Sequence, residues 1–114
     1  IATEEANAID AYKQAIVEGT ADEIVTSSYF TGVSGNYLRG SITRAGLDPA
    51  TLPERTPDTM NLNASASTAK AWKDIWGSGQ GIGAVRKVVP AAEVVARIER
   101  EYKAAFAQLC ADGP

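Results

Sequence analysis

Apolar residues recur at helical spacing near the start of the chain. Ile9, Tyr12 and Ile16 lie three or four positions apart, and this spacing predicts a helix over residues 3–18. The threonine at its first position can cap the helix, and the two glutamates that follow suit the positive end of the helix dipole. Gly19 comes directly after the predicted helix and is expected to end it.

The end of the chain carries a longer apolar stripe at the same spacing. Pro90 suits the first turn of a helix that runs to Gly113. The stripe predicts a face that packs against a core. Its members are Val94, Val95, Ile98, Tyr102, Ala105, Phe106 and Leu109. On the opposite face Glu93 precedes Arg97, and Glu99 precedes Lys103, by four positions, which favours ion pairs worth about 0.2–0.5 kcal/mol each.

The middle of the chain is patterned less clearly. β-branched and aromatic residues over positions 24–31 predict a strand, and glycines at 32–35 predict a turn. A short helix is expected over residues 37–45. Prolines break regular structure across residues 47–67, and another helix is expected to start near residues 67–73. The chain is therefore mainly helical, with too few strands to close a sheet.

Composition narrows the functional classes. The 114 residues fit one domain, and the net charge of −3 argues against a nucleic-acid-binding surface. No apolar run approaches the roughly 18 residues of a membrane span. Cys110 is the only cysteine and there is no histidine, so a Ser-His-Asp triad and the usual zinc sites are excluded. The single cysteine favours a reducing compartment, and we expect the protein to be cytoplasmic.

Residues 76–83, the glycine segment, read Trp-Gly-Ser-Gly-Gln-Gly-Ile-Gly. Alternating glycines let backbone approach a ligand closely, but the same pattern also occurs in a flexible connection. Residues 79–84 formally fit the dinucleotide-binding fingerprint. That motif should follow an apolar strand and open a helix, which these neighbours do not provide. A phosphate-binding P-loop is excluded because no Gly-Lys-Ser/Thr follows.

The glycine segment resembles the tryptophan-serine-alanine-glycine-glutamine-glycine segment of the nitronate monooxygenases, formerly called 2-nitropropane dioxygenases. Shorter stretches along the chain, and its last helix, are also similar to segments of that family. They are residues 1–6, 11–15, 30–33 and 36–39. The resemblance covers nearly the whole chain but only about the last third of the family's usual length, since a TIM barrel alone needs roughly 250 residues.

The resemblance implies an α/β fold: the C-terminal part of an FMN-binding TIM barrel, with a small, mainly helical second domain and a chain that is itself mostly α. Residues 1–20 would form the last barrel helix, and residues 21–75 the small domain that covers the substrate. Residues 76–89 would form a glycine loop near the flavin, and residues 90–114 a helix packed on the barrel. The expected partners are the rest of the barrel and a small-molecule substrate, without nucleic acid or membrane.

The resemblance also assigns site residues. Ser78, Gly79, Gln80 and Gly81 would lie near the flavin ring, with the Gln80 amide able to hydrogen-bond a ring heteroatom or a substrate oxygen. No catalytic residue and no metal ligand is expected in this chain. The family's catalytic histidine and its FMN-phosphate segment would precede Ile1. A family histidine near position 9 is missing here, and a glycine replaces an alanine of the family's segment.

Aromatic residues are candidates for the substrate cavity. Tyr29, Phe30 and Tyr37 could line it, although aromatic residues beside a strand usually belong to a core. Trp76 could form a wall of the same cavity, and a core position is the alternative.

The resemblance leaves the reaction open. In the family, flavin and oxygen convert alkyl nitronates to carbonyl compounds and nitrite. NADH:quinone reductases and a flavin-dependent enoyl reductase share the fold. A different class, a non-catalytic helical interaction module, would use the last helix to dock on a partner, with the glycine segment as a linker. Visible flavin absorbance of the purified protein would separate the two classes.

Overall fold

A computed structural model describes residues 1–56 and 71–113 of the chain. Helices dominate these residues, and two short strands form the sheet. In chain order the elements are α1 (Asp10–Glu18), a 3-10 helix (Ala21–Glu23), β1 (Ile24–Ser27), β2 (Gly35–Leu38), α2 (Arg39–Arg44), α3 (Ala71–Asp74), a second 3-10 helix (Gln80–Ala84) and α4 (Ala91–Ala111). The helix expected to start near residues 67–73 corresponds to α3, and its first predicted positions lie outside the described residues.

Helix α1 begins at Asp10, seven residues later than predicted, and Thr3 is not its cap. Thr3 instead forms an isolated parallel bridge with Val89, and the Glu4 amide donates to the Val89 carbonyl at 3.0 Å. The Glu4 amide thus finds its hydrogen-bond partner in a distant segment, while the Thr3 amide donates to Ile1 and its carbonyl accepts from Ala6. The buried Lys13 ammonium adds a 3.2 Å hydrogen bond to the Glu4 carbonyl, which holds this leading segment against α1.

Gly19 ends α1 as predicted, but for a different reason than expected. Its φ of −71° and ψ of 153° are extended, so the left-handed conformation that usually favours glycine at this position is not used. A Cβ atom on Gly19 would lie 2.5 Å from Ile82 Cδ1 and 2.8 Å from the Ala15 carbonyl oxygen. Glycine is required here by close packing against the second 3-10 helix.

The two strands form an antiparallel hairpin, with Ile24 opposite Leu38 and Ser27 opposite Gly35. Strand β1 ends at Ser27, earlier than the predicted residue 31, and the following residues belong to the turn. Gly32 lies in this turn with φ of 76°, a conformation that side chains disfavour. Helix α2 starts at residue 39 rather than 37, because residues 37 and 38 complete the hairpin ladder.

A small apolar core joins α1, the hairpin and the glycine segment. Ile16, Leu38, Trp76 and Ile82 contact one another in its centre, and each is at most 7% exposed. Ile42 of α2 is also fully buried, although it is not part of this cluster. At about 25 cal/mol per Å² of buried apolar surface, burial of these side chains is the main force holding the described elements together.

Helix α4 starts at Ala91 with Pro90 as its cap residue, as the sequence predicted. Glu5, expected in the first turn of α1, instead accepts a 2.8 Å hydrogen bond from the Ala91 amide at the start of α4. A carboxylate therefore does lie at a helix N-terminus, where the dipole favours it, but at a different helix. The predicted pair Glu99–Lys103 is present at 2.5 Å, whereas Glu93 pairs with Lys87 rather than Arg97.

The apolar stripe of α4 is not covered by the described part of the chain, contrary to the prediction of a core-facing helix. Its largest side chains stay more than half exposed: Val95, Ile98, Tyr102, Phe106 and Leu109. Every residue of the helix from Ile98 to Ala111 is exposed within the described part of the chain. No helix within these residues is long and apolar enough to cross a membrane.

Candidate functional site

The expected glycine loop is a short 3-10 helix, Gln80–Ala84, which we call the glycine helix. The Ile82 amide donates to the Gly79 carbonyl at 3.1 Å, and the Val85 amide donates to the Ile82 carbonyl at 3.0 Å. Residues 80–84 of the predicted glycine loop are therefore regular, while the placement of residues 76–89 near a flavin stays a prediction. Their hydrogen bonds are local, and Ile82 supplies the buried side chain that anchors the turn to the core.

Three glycines of this segment have no requirement for glycine within the described chain. Gly79, Gly81 and Gly83 all have φ outside the left-handed region. A Cβ atom added at any of them would meet no atom within 4 Å. Glycine in a helix costs about 0.5–1 kcal/mol relative to alanine, so Gly81 and Gly83, inside the glycine helix, are unfavourable on local grounds. Their backbone is open to contact from outside the described residues.

The predicted flavin-binding residues lie together on this open side. Gly79, Gln80 and Gly81 are exposed, and Ser78 is half-buried. The Ser78 amide donates to the Asn36 carbonyl at 3.2 Å, which ties the segment to β2. The Gln80 side chain makes no hydrogen bond within the described part of the chain, so its amide can bind another group.

Trp76 lies in the core, which was one of the two positions that the sequence left open; the other was the wall of a cavity. It is 5% exposed, and its ring stacks on Tyr12 with centroids 4.9 Å apart and an interplanar angle of 15°. The Arg44 guanidinium lies 3.8 Å from the centre of the same ring, a cation–π contact. The Trp76 indole N–H donates to the Lys73 carbonyl at 3.2 Å, which leaves this buried donor satisfied.

A cavity of about 640 Å³ opens beside the Tyr12–Trp76 stack. Its volume lies within the range of small-molecule sites. Ser78, Gly79, Gln80 and Gly81 do not border it. The residues that line it are Ile1, Ala6, Asn7, Ala8, Ile9, Ala11, Tyr12, Arg44, Lys73, Asp74, Ile75, Trp76 and Gly77. Trp76 thus contributes to both the core and a cavity wall, while the predicted flavin residues face elsewhere.

The aromatic residues predicted to line a substrate cavity form a separate cluster. Phe30 packs edge-on against Tyr29 and Tyr37, with ring centroids 5.2 and 4.9 Å apart. Arg55 lies 4.0 Å above the Tyr29 ring, and its amide donates to the Ser28 hydroxyl at 2.9 Å. None of the three aromatic residues borders the 640 Å³ cavity. The arrangement fastens residues 47–56 to the hairpin.

Ser41 joins α2 to the start of the glycine segment. Its hydroxyl is buried, donates to the Leu38 carbonyl at 2.8 Å and accepts from the Trp76 amide at 3.0 Å. No local pattern indicates this role, because Ser41 and Trp76 are 35 positions apart and a single serine belongs to no periodic pattern.

Ser41→Ala should lower the free energy of unfolding by about 1–3 kcal/mol, because the buried Trp76 amide loses its acceptor. Urea denaturation followed by circular dichroism measures this change. Thr43→Ala is the matched control, since it removes an exposed hydroxyl that bonds only within α2. The control should change stability by no more than about 0.5 kcal/mol. An equally small change for Ser41→Ala would show that this hydroxyl does not hold the segment.

The comparisons with known proteins concern the fold. No model of a protein family matches the chain, and no curated protein matches it. A solved structure of a point mutant of FabK from Thermotoga maritima is similar, with a TM-score of 0.61 and 18% sequence identity. The match covers 96% of this chain and 34% of the FabK chain. The chain therefore folds like part of FabK and spans about a third of its length.

Proposed function

We propose that this chain is the C-terminal portion of an FMN-dependent oxidoreductase, in which the glycine helix faces the flavin. Two independent findings support the proposal. The glycine segment resembles that of the nitronate monooxygenases, whose relatives of the same fold include a flavin-dependent enoyl reductase. The backbone is similar to a third of FabK although only 18% of residues are identical.

The observation that carries the proposal is the open surface at Gly79, Gly81 and Gly83. Neither backbone conformation nor contacts within the described chain call for glycine at these positions. A flat ring lying against the backbone would call for it, because any side chain would hold the ring away. FMN is such a group. Ser78 and Gln80 add a hydroxyl and a free amide beside these glycines, suited to the oxygens and nitrogens of the flavin ring.

The chain's own residues would bind and orient the cofactor rather than move protons. When bound, FMN would supply the transfer of electrons between a reductant and the substrate. Gln80 would fix the ring or the substrate by hydrogen bonding, and the glycines would permit the close approach. The phosphate-binding segment and the catalytic histidine implied by the resemblance are not among these residues. We propose nitronate oxidation as the activity of the complete enzyme; reduction of a quinone or of an enoyl substrate is the alternative.

The proposal gives the uncovered face of α4 a partner. Ile98, Tyr102 and Phe106 are 56–69% exposed. A stripe of this width normally packs on other protein, and in the proposed enzyme it packs on the rest of the barrel. The same exposed face favours a second candidate, a helical module that docks on a separate protein without a cofactor. Visible flavin absorbance in the purified protein supports the enzyme, and its absence in well-folded protein supports the module.

Gly81→Ala should separate stability from cofactor binding. The added methyl group meets nothing within the described chain, so stability should stay the same or rise by about 0.4–1 kcal/mol. The same methyl group should weaken FMN binding by roughly 1–3 kcal/mol, because it intrudes between backbone and ring. Thermal denaturation and FMN titration followed by flavin fluorescence measure the two effects.

Gly40→Ala is the matched control for Gly81→Ala. Gly40 is also exposed, and a Cβ atom there likewise meets nothing within 4 Å, but it lies in α2 rather than in the glycine segment. This variant should keep wild-type FMN affinity. If Gly81→Ala binds FMN as tightly as Gly40→Ala does, the glycine helix does not face the flavin and the proposal loses its main support.

A further inference from the structure

We propose that Tyr12 is a positioning residue that holds the glycine segment in register with the flavin. This inference rests on the proposed function, because a position matters only relative to a bound group. Tyr12 lies on α1, 65 positions before the segment that it contacts. The sequence pattern placed it only as one apolar member of a helix stripe.

Four hydrogen bonds hold residues 76–78, which precede Gly79 and Gly81. We call this set of four hydrogen bonds the 76–78 clamp. The Leu38 amide donates to the Trp76 carbonyl at 2.8 Å, and the Ser78 amide donates to the Asn36 carbonyl at 3.2 Å. The remaining two involve side chains: the Trp76 amide donates to Ser41 Oγ, and the Tyr12 hydroxyl donates to the Gly77 carbonyl. Strand β2, α2 and α1 therefore all contribute to one short stretch of backbone.

Tyr12 makes the shortest contact of the clamp, 2.5 Å between its hydroxyl oxygen and Gly77 O. Stacking on Trp76 fixes the plane of the phenol ring and so directs the hydroxyl at this carbonyl. Burial raises the pKa of the Tyr12 phenol above its usual value of 10.0, which extends the pH range over which the hydroxyl can donate. Gly77 also forms an isolated antiparallel bridge with Tyr37, so the Tyr12 hydroxyl adds a restraint from α1 to a residue already held by β2.

Helix α1 also holds the far end of the same segment. Ile82 is 3% exposed and packs so closely on the end of α1 that Gly19 has no room for a Cβ atom. The exposed residues Gly79, Gln80 and Gly81 lie between these two fixed points. One helix thus sets both the start and the end of the surface that would face the flavin, with Tyr12 at the start.

Tyr12→Phe tests this role, because it removes the hydroxyl but keeps the ring that stacks on Trp76. Hydrogen exchange of the Trp76 and Ser78 amides, which are hydrogen-bonded in the clamp, should become about fivefold faster, the effect expected from loss of one ordinary hydrogen bond. In protein purified with flavin, the visible absorption band should also shift, because the groups around the ring change position. Thr43→Val is the matched control, since its hydroxyl bonds within α2 and lies outside the clamp.

Hydrogen exchange and flavin absorbance of the Tyr12→Phe variant together distinguish the possible roles of Tyr12. Faster exchange together with a shifted flavin band supports Tyr12 as a positioning residue. Faster exchange with an unchanged band makes Tyr12 purely structural and overturns the inference. Unchanged exchange also overturns it, whatever the flavin does. Absence of visible flavin from the purified wild-type protein would contradict the proposed function instead, and the exchange rates would still show whether the Tyr12 hydroxyl restrains the segment.

Discussion

Trp76→Ala should lower the free energy of unfolding by roughly 3–5 kcal/mol, the usual cost of removing a large buried aromatic side chain. Trp76 is 5% exposed and contacts Ile16, Leu38 and Ile82 in the core. The substitution also removes the stacking partner of Tyr12. Since domains of this size are stable by only about 5–15 kcal/mol, this loss is a large fraction of the total stability. The midpoint of urea denaturation, followed by circular dichroism, measures the loss.

Phe106→Ala is the matched control, because it also truncates an aromatic residue. Phe106 is 59% exposed in the described chain, so its loss should change stability by no more than about 0.5 kcal/mol. The sequence alone predicted a loss of about 3–5 kcal/mol at this position, on the assumption that the ring is buried. Measured on this chain alone, equal losses for the two variants would mean that Phe106 is buried in the chain's own core rather than exposed.

Gln80→Ala should lower kcat/KM by about 10²–10³-fold if its amide binds a charge that develops in the transition state. FMN content should remain near that of the wild type, because the resemblance places the phosphate site outside this chain. The Gln80 side chain is exposed and makes no hydrogen bond within the described residues, so it is available for such a contact. Steady-state kinetics with an alkyl nitronate, together with flavin content by absorbance, measures both quantities.

Gln14→Ala is a suitable control for Gln80→Ala. It removes an amide of the same size from the exposed side of α1, where it bonds only Glu18. This variant should retain wild-type kinetics. Full turnover and an unchanged flavin spectrum for Gln80→Ala would remove Gln80 from the site and leave the segment as a connection between α3 and α4.

Local signals in the sequence predicted the helices better than their boundaries. Pro90 marked the start of α4 correctly, because proline suits a helix start whatever surrounds it. Thr3 did not cap α1, because Val89 offered its backbone a bridge instead. That competition depends on residues 86 positions apart, which no local pattern contains. The same distance explains why Glu5 was assigned to the wrong helix.

The sequence indicated which segment forms the candidate site, but not which residues from other elements hold that segment in place. The glycines of residues 76–83 marked a place of close approach, and the structure leaves three of them open on the surface. Tyr12, Ser41 and Arg44, which surround Trp76, carried no signal because their partners lie on other elements. The burial of α4 was wrongly predicted within this chain, since an apolar stripe indicates that a partner exists but not which residues provide it.

The stacked pair Tyr12–Trp76 also gives the protein an optical probe of its own. The chain has two tryptophans, so Trp72→Phe would leave Trp76 as the single source of indole emission. A tyrosine ring 4.9 Å away and a guanidinium 3.8 Å from the indole are placed to influence that emission. Fluorescence would therefore report on the packing of one cation, Arg44, and two rings, Trp76 and Tyr12, without a dye, as a ligand or a neighbouring chain binds.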